Sequence, residues 1–286
     1  MNIFSKLEHM VDLTANEKIV VDYIKKNPQE FVKKSAMNIS KECFVSTSTI
    51  YRLCDKLGLS GLSELKVQIS GSLHDYLQKQ ESFDSDYPIK QNQTQHEIIN
   101  QLKDVYDQTI ISTLNLMDTE QLRKIVHHMK KSKSIDVYAS AGNIYFAENF
   151  KFQMQEIGVN IQVPLEEYQQ RLCAATSNEK HIAIVISFGG RGALVEPIIQ
   201  TLKDKKTPIV LICGAKQNPY EKYADYHLYM NPYENHYRKI SSFSTRLTLL
   251  YILDCLYTCY FELDYENNIK NKIEYYESMR KGESEK

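Results

Sequence analysis

Between residues 135 and 230 the chain carries five short apolar runs: Ile135–Ala139, Asn160–Val163, Ile182–Ser187, Pro208–Cys213 and Tyr226–Met230. Runs this short that stay apolar, instead of alternating with polar residues, fit strands buried on both faces. Helical stretches lie between them. One is Tyr145–Ile157, and another is Ala193–Leu202, which places Leu194, Val195, Ile198, Ile199 and Leu202 on one side. Strand and helix in alternation make a parallel sheet covered on both faces. Two longer helical segments, about 240–262 and 265–281, close the chain. The expectation is a three-layer α/β domain around a five-stranded parallel sheet.

Residues 1–77 have no comparable run and read as an all-α domain. Thr14 precedes a helix over 15–26, with Ala15, Ile19, Val20, Tyr23 and Ile24 at helical spacing, and Asn27-Pro28 breaks it. A second helix runs from about Ser35 to Cys43. Phe44 and Val45 then connect to Ser46, which caps a third helix that ends at Gly58. Residues 78–95 are polar, contain Pro88 and lack an apolar period, as a linker does. The division predicted is 1–77, a linker over 78–95, and an α/β domain over 96–286.

In the third helix Ile50, Leu53, Cys54 and Leu57 form an inward stripe, so Ser48, Arg52 and Asp55 point away from it with Tyr51 beside them. Two helices joined by a short turn, the second bearing small hydroxyls, an aromatic and an arginine, suit entry into a major groove. The candidate DNA-contacting residues are Ser46, Thr47, Ser48, Thr49, Tyr51, Arg52 and Lys56, with Lys33, Lys34, Lys41 and Lys66 available for phosphates. Charge gives little help. The chain has a net charge of -1, and residues 1–75 hold ten Lys/Arg against nine Asp/Glu. A solvated protein-interaction module fits the pattern about equally well.

The wording of the segment separates the two. LTANEKIVVDYIKKNP followed by SAMNISKECFVSTSTIYRLCDKLGLSGLSELK resembles the N-terminal domain of RpiR-type bacterial regulators. Val45, Ser46, Thr49, Ile50, Arg52, Lys56, Leu57, Gly58, Gly61, Glu64, Leu65 and Lys66 match the family pattern around the recognition helix. The resemblance implies a helix-turn-helix that binds an operator in double-stranded DNA.

Two turns in the second half carry candidate ligand chemistry. VYASAGNIYFAENF runs from strand to helix through small residues, and IAIVISFGGRGALVEP does so through Ser-Phe-Gly-Gly-Arg-Gly. Small residues beyond a strand's carboxyl end let backbone N–H groups approach an anion, and Arg191 adds a bidentate cation. Tight packing alone explains such turns equally well. Residues 120–262 resemble the SIS (sugar isomerase) domain that follows the helix-turn-helix in RpiR-type regulators, which implies a phosphosugar site. The chain departs from that family in both loops. Where the first usually reads G-x-G-x-S, Ala139, Ala141 and Asn143 stand; where the second reads S-x-S-G-x-T, only Ser187 keeps a hydroxyl, with Gly189 and Gly192 in place of the others. The candidate ligand residues are Ala141, Gly142, Asn143, Ser187, Gly189, Gly190, Arg191, Gly192 and Glu234.

No apolar run reaches membrane-spanning length, and the N-terminus has no signal-type apolar core, so a cytoplasmic protein is expected. The six cysteines are scattered and read as reduced core residues. No cofactor, metal site or catalytic group is expected. The expected function is a transcriptional regulator of carbohydrate-related genes, acting as a homodimer or homotetramer, with a sugar phosphate as effector. The alternatives are a constitutive DNA-binding dimer whose SIS-like domain holds no ligand, and a phosphosugar isomerase.

Overall fold

A computed structural model describes residues 3–10, 12–78, 84–215, 218–230, 234–235 and 237–280. Two compact units form, Met1–Asp84 with Leu114–Leu116, and Ser85–Thr113 with Met117–Lys286.

The first unit is helical: α1 (Ile3–His9), α2 (Ala15–Lys26), α3 (Pro28–Lys33), α4 (Ala36–Cys43), α5 (Thr47–Lys56) and α6 (Leu62–Gln78). Local sequence accounts for the ends. The Thr14 hydroxyl accepts from the Glu17 amide at 3.3 Å, and the Glu17 carboxylate accepts from the Thr14 amide at 2.8 Å, a reciprocal cap on α2. Pro28 opens α3 at its first turn, where a missing N–H leaves no bond unmade. Ser35 caps α4 and Ser46 stands at the start of α5. Ile50, Leu53, Cys54 and Leu57 pack into one cluster with Val20, Ile24, Phe31, Ile39 and Leu65.

One ion pair fixes the end of α5. Glu17, only 1% exposed, meets Lys56 Nζ at 2.8 Å, and the same ammonium donates to the Asp12 carbonyl at 2.6 Å. The bond from Lys56, followed by that from the Thr14 amide, lowers the Glu17 pKa to about 2.

The second unit contains α7 (Gln95–Leu116) as far as Thr113, α8 (Thr119–Lys131), β1 (Ser134–Tyr138), α9 (Asn143–Gln155), α10 (Glu167–Thr176), β2 (His181–Ile186), α11 (Val195–Asp204), β3 (Ile209–Gly214), β4 (Tyr226–Met230), α12 (Phe243–Glu262) and α13 (Tyr265–Arg280). The strands pair in parallel in the order β1-β2-β3-β4. Alternate residues feed opposite cores. Val137, Ile184 and Ile212 pack with residues of α8, α9 and α12, whereas Tyr138, Val185 and Leu211 pack with residues of α10 and α11. No helix among the described residues is long and apolar enough to cross a membrane.

The sheet has four strands where five are expected from the sequence. Residues 160–163 contribute a single bridge, Gln162 to Asp136, with two flanking backbone bonds: Val137 N to Gln162 O at 2.8 Å and Gln162 N to Ile135 O at 2.9 Å. Pro164, which has no N–H to donate to a ladder, follows the bridged segment directly. The position of the segment still matters. The chain leaves β1 toward this edge and returns to β2 on the other side, so the sheet's switch point lies at the end of β1.

Buried hydroxyls seat α12 on α7. Thr109 Oγ1 donates to Ser244 Oγ at 2.9 Å, and Thr113 Oγ1 lies 3.1 Å from Thr248 Oγ1. Small side chains allow the close approach, and within α7 the Thr109 and Thr113 hydroxyls lie 2.7 Å from the Val105 and Thr109 carbonyls.

Replacing Glu17 by Gln is expected to cost about 1–3 kcal/mol at neutral pH, because a buried hydrogen-bonded charge partner is lost. The carboxyl is depressed in the folded state, so its contribution is fully present above about pH 4.5 and disappears as pH falls through about 2. Denaturant unfolding of both proteins across that range should therefore show their difference shrinking with acid. A constant difference would contradict the ion-pair account.

Candidate functional site

On α5 the inward stripe leaves Ser46, Thr47, Ser48, Tyr51, Arg52 and Lys56 exposed along the other side. Thr49 differs from the rest of this predicted group. It is 1% exposed, and its hydroxyl lies 3.0 Å from Ser46 Oγ and accepts from Arg52 Nη2 at 3.4 Å. Ser46 Oγ also lies 2.7 Å from Ser48 Oγ. Thr49 thus organises the hydroxyls and the arginine around it. Lys56 holds Glu17 and Asp12, as described above. Of the other lysines suited to phosphate contact, Lys34 pairs with Glu42 at 2.8 Å and Glu30 at 3.3 Å, and Lys66 donates to the Lys34 carbonyl. Lys33 and Lys41 are exposed. Sequence reasoning counts five cations here, and three of them serve internal contacts.

In the α/β unit, the carboxyl edge of the sheet opens into a cavity of about 430 Å³. Its walls come from three places. The loop after β1 supplies Ala141, Gly142 and Asn143; the loop after β2 supplies Ser187, Gly189, Arg191 and Gly192; and residues 237–246 supply Tyr237, Lys239, Ser242, Thr245 and Arg246. This is the edge where parallel sheets bind ligands, at the switch point between β1 and β2.

Seven of the nine predicted ligand residues line it, and two do not. Gly190 takes φ +68°, and a Cβ there would meet Pro219 Cδ at 3.0 Å and Asn218 Oδ1 at 3.1 Å. It shapes the loop from behind. Glu234 is 4% exposed, and its carboxylate accepts from the Thr245 amide at 2.6 Å and from Lys239 Nζ. It therefore satisfies a first-turn amide of α12 and anchors the residues that line the wall. Ala141 stands where the SIS pattern has glycine, yet keeps φ +51°. The left-handed loop persists at a cost of about 1–2 kcal/mol.

The cavity's cations arise largely outside the predicted set. Lys239 is tied to Glu234, whereas Arg191 lies 5.7 Å from the Tyr237 ring and Arg246 lies 5.5 Å from the Phe243 ring. Among the described residues neither arginine forms an ion pair with a carboxylate, and none of the lining residues is acidic. Thr245 Oγ1 is buried with no hydrogen-bond partner among the described residues. Ser242, Thr245 and Arg246 sit within SSFSTRLTLLYILDCLY, a stretch that supports the SIS resemblance. Their role in the wall depends on α12 beginning at the sheet's edge, which the stretch alone does not reveal.

A segment outside the sheet touches the same wall. Asp86 Oδ1 accepts from the Asn235 amide at 2.6 Å, and the Asp86 carbonyl accepts from the Ile240 amide at 2.9 Å. The ends of the wall loop are therefore hydrogen-bonded to the stretch that precedes α7.

Comparison with known proteins places both units. Residues 1–76 match the helix-turn-helix domain of the rpiR family, and residues 128–258 match the SIS domain. A Haemophilus influenzae protein described as an uncharacterized HTH-type transcriptional regulator is 26% identical over 90% of this chain and 88% of its own. A second from Caldanaerobacter subterraneus, similarly described, is 26% identical over 90% and 89%. Among solved structures, the Vibrio vulnificus NanR protein complexed with ManNAc-6P aligns at TM-score 0.58 and 16% identity, covering 98% of each chain. The sugar isomerase domain of an RpiR transcription factor from Sphaerobacter thermophilus aligns at 0.56 and 13%, covering 62% of this chain and 97% of its own. The chain belongs to the rpiR-family HTH-type transcriptional regulators that carry a SIS domain.

Proposed function

We propose that the cavity at the carboxyl edge of the sheet binds a phosphorylated sugar, and that its occupancy sets the affinity of residues 1–77 for operator DNA. The observation that carries this reading is the chemistry of the wall: glycine-rich backbone and, among the described residues, two arginines with no carboxylate and a buried Thr245 hydroxyl with no partner. A phosphate group supplies the missing charge and accepts from Ser187, from the amides near Gly189 and Gly192, and from Arg191. The sugar hydroxyls then face Asn143, Ser242 and Thr245. Arginine compensates for the hydroxyls that the two loops lack relative to the SIS pattern. ManNAc-6P, held by the NanR protein of similar fold, belongs to this ligand class.

Binding is favoured over isomerisation by the relatives, which are described as HTH-type transcriptional regulators.

Coupling to DNA runs through Asp86. A ligand held by Tyr237, Lys239 and Arg246 orders the loop whose two ends bond to Asp86, and so orders the segment that leads back toward the helical unit. The effector changes DNA affinity to the extent that it binds the two arrangements differently. A homodimer or homotetramer presents paired helix-turn-helix heads to a palindromic operator. The exposed Leu165, Tyr168 and Leu172 supply apolar surface suited to pairing of copies.

In a thermal-shift screen, one or more sugar phosphates should stabilise the chain, by about 2.7 kcal/mol at a hundredfold excess over Kd, while the matching unphosphorylated sugars do not. Arg191→Ala should abolish the shift. A screen in which no sugar phosphate stabilises the protein would defeat the effector reading and leave a ligand-independent DNA binder. Replacing Asp86 by Ala should preserve the ligand's thermal shift yet reduce its effect on operator affinity to about twofold or less. If Asp86→Ala responds like the parent, the coupling route is wrong. For DNA itself, Arg52→Ala should weaken binding and lower the salt slope by about one charge, measured by titration at several salt concentrations.

A further inference from the structure

We propose that Phe44 contacts DNA, its ring held out at the turn between α4 and α5 to pack on deoxyribose or a thymine methyl beside the bases read by α5. This rests on the DNA-binding role of the first unit and adds a residue that neither the family pattern nor the polar face of α5 singles out.

Phe44 ends α4 in the left-handed region, at φ 53° and ψ 39°. The surrounding bonds impose that shape. Phe44 N donates to the Lys41 carbonyl at 3.4 Å, Val45 N donates to the Ser40 carbonyl at 3.0 Å, and Ser40 Oγ donates to the Val45 carbonyl at 2.6 Å. The position favours glycine, which has no Cβ to crowd the following carbonyl, or asparagine, whose short polar side chain bonds locally. An aromatic residue gains nothing from the backbone here.

Packing does not compensate. Phe44 is 94% exposed, the most exposed large apolar side chain among the described residues, and it lies outside the buried cluster of its unit. A strained backbone and a solvated ring thus fall on one residue, and neither cost is offset within the unit. Such a combination is kept where the side chain acts on something else.

The location identifies the partner. Phe44 stands two residues before Ser46, which opens the helix bearing the exposed Thr47, Ser48, Tyr51 and Arg52. In helix-turn-helix docking the start of this helix enters the major groove, which brings the preceding turn to the groove's edge. Deoxyribose and the thymine C5-methyl are the apolar surfaces found there. The flanks suit phosphates: Lys41 is exposed, while the Glu42 carboxylate is engaged by Lys34 at 2.9 Å and by Tyr23. A hydrophobic protein partner would call for apolar neighbours, and the exposed residues flanking Phe44 in the chain are polar or charged: Lys41, Glu42, Ser46, Thr47 and Ser48.

The test uses the full chain and duplexes that the wild-type protein enriches from a random DNA library. Phe44→Gly and Phe44→Asn both accept the left-handed backbone and delete the ring. Their melting temperatures should equal or exceed the parent's, with a rise of about 2–5 °C where the strain is relieved. Their Kd for the enriched duplex should weaken about fivefold or more, and Phe44→Tyr, which keeps the ring, should bind like the parent. Weaker binding by a variant of equal or greater stability supports a ring contact with DNA. Binding by Gly and Asn variants within about twofold of the parent overturns it. Weaker binding accompanied by a lower melting temperature also overturns it, since the ring would then be supporting the turn. If the wild type enriches no duplex at all, the DNA-binding reading falls and this proposal with it, an outcome distinct from enrichment that Phe44 does not affect.

Discussion

The strands β1 to β3 are buried on both faces, and this burial organises the whole α/β unit. Ile184 and Val185 are neighbours in β2 yet belong to different cores, one shared with α8, α9 and α12 and the other with α10 and α11. Every strand must therefore be followed by a connection that crosses a face of the sheet, and the loops that begin these crossings gather at one edge. The cavity is a consequence of that topology. Its position between the turns after β1 and β2 follows from the chain leaving β1 toward Gln162 on one side and returning to β2 on the other.

What gives the cavity its character is a second, electrostatic constraint. Glu234 places a buried carboxylate at the first turn of α12, where it accepts from the Thr245 amide and from Lys239. One anion thereby satisfies a helix end, neutralises a lysine and anchors the wall residues against the helix. Arg191 and Arg246 remain, resting near aromatic rings rather than carboxylates, and the net character of the wall is cationic. The hydroxyl ladder between α7 and α12 holds the same helix from its other side. Asp86 then extends the arrangement into the segment preceding α7.

The helical unit follows a similar logic at smaller scale. Glu17 is both the reciprocal cap of α2 and the partner of Lys56 at the end of α5. The groups that organise α5 are largely not those that face outward from it. Lys56 and Thr49 fix the helix and its hydroxyls, leaving Ser48, Tyr51 and Arg52 exposed, with Phe44 ahead of them on a turn whose shape is set by the end of α4.

Much of this is legible in the residues. The apolar runs mark β1 to β4 because strands covered by helices are mostly apolar, and Thr14, Ser35 and Pro28 mark helix ends because their own side chains or ring determine local backbone bonds. The loops at 141–143 and 187–192 are legible for the same reason, as small residues at strand ends. Other features depend on partners distant in sequence. Residues 160–163 meet β1 at the single bridge from Gln162 to Asp136, a pairing set by folding and not by their own apolar run. The bonds of Glu234 to Lys239 and the start of α12, and of Lys56 to Glu17, are likewise set by folding. By itself the sequence determined the two-part architecture, the parallel sheet and the loops at its edge, since these arise from periodicity and local caps. Only the tertiary structure decided which charges are neutralised, because a charge's role depends on which opposite charge folding sets beside it.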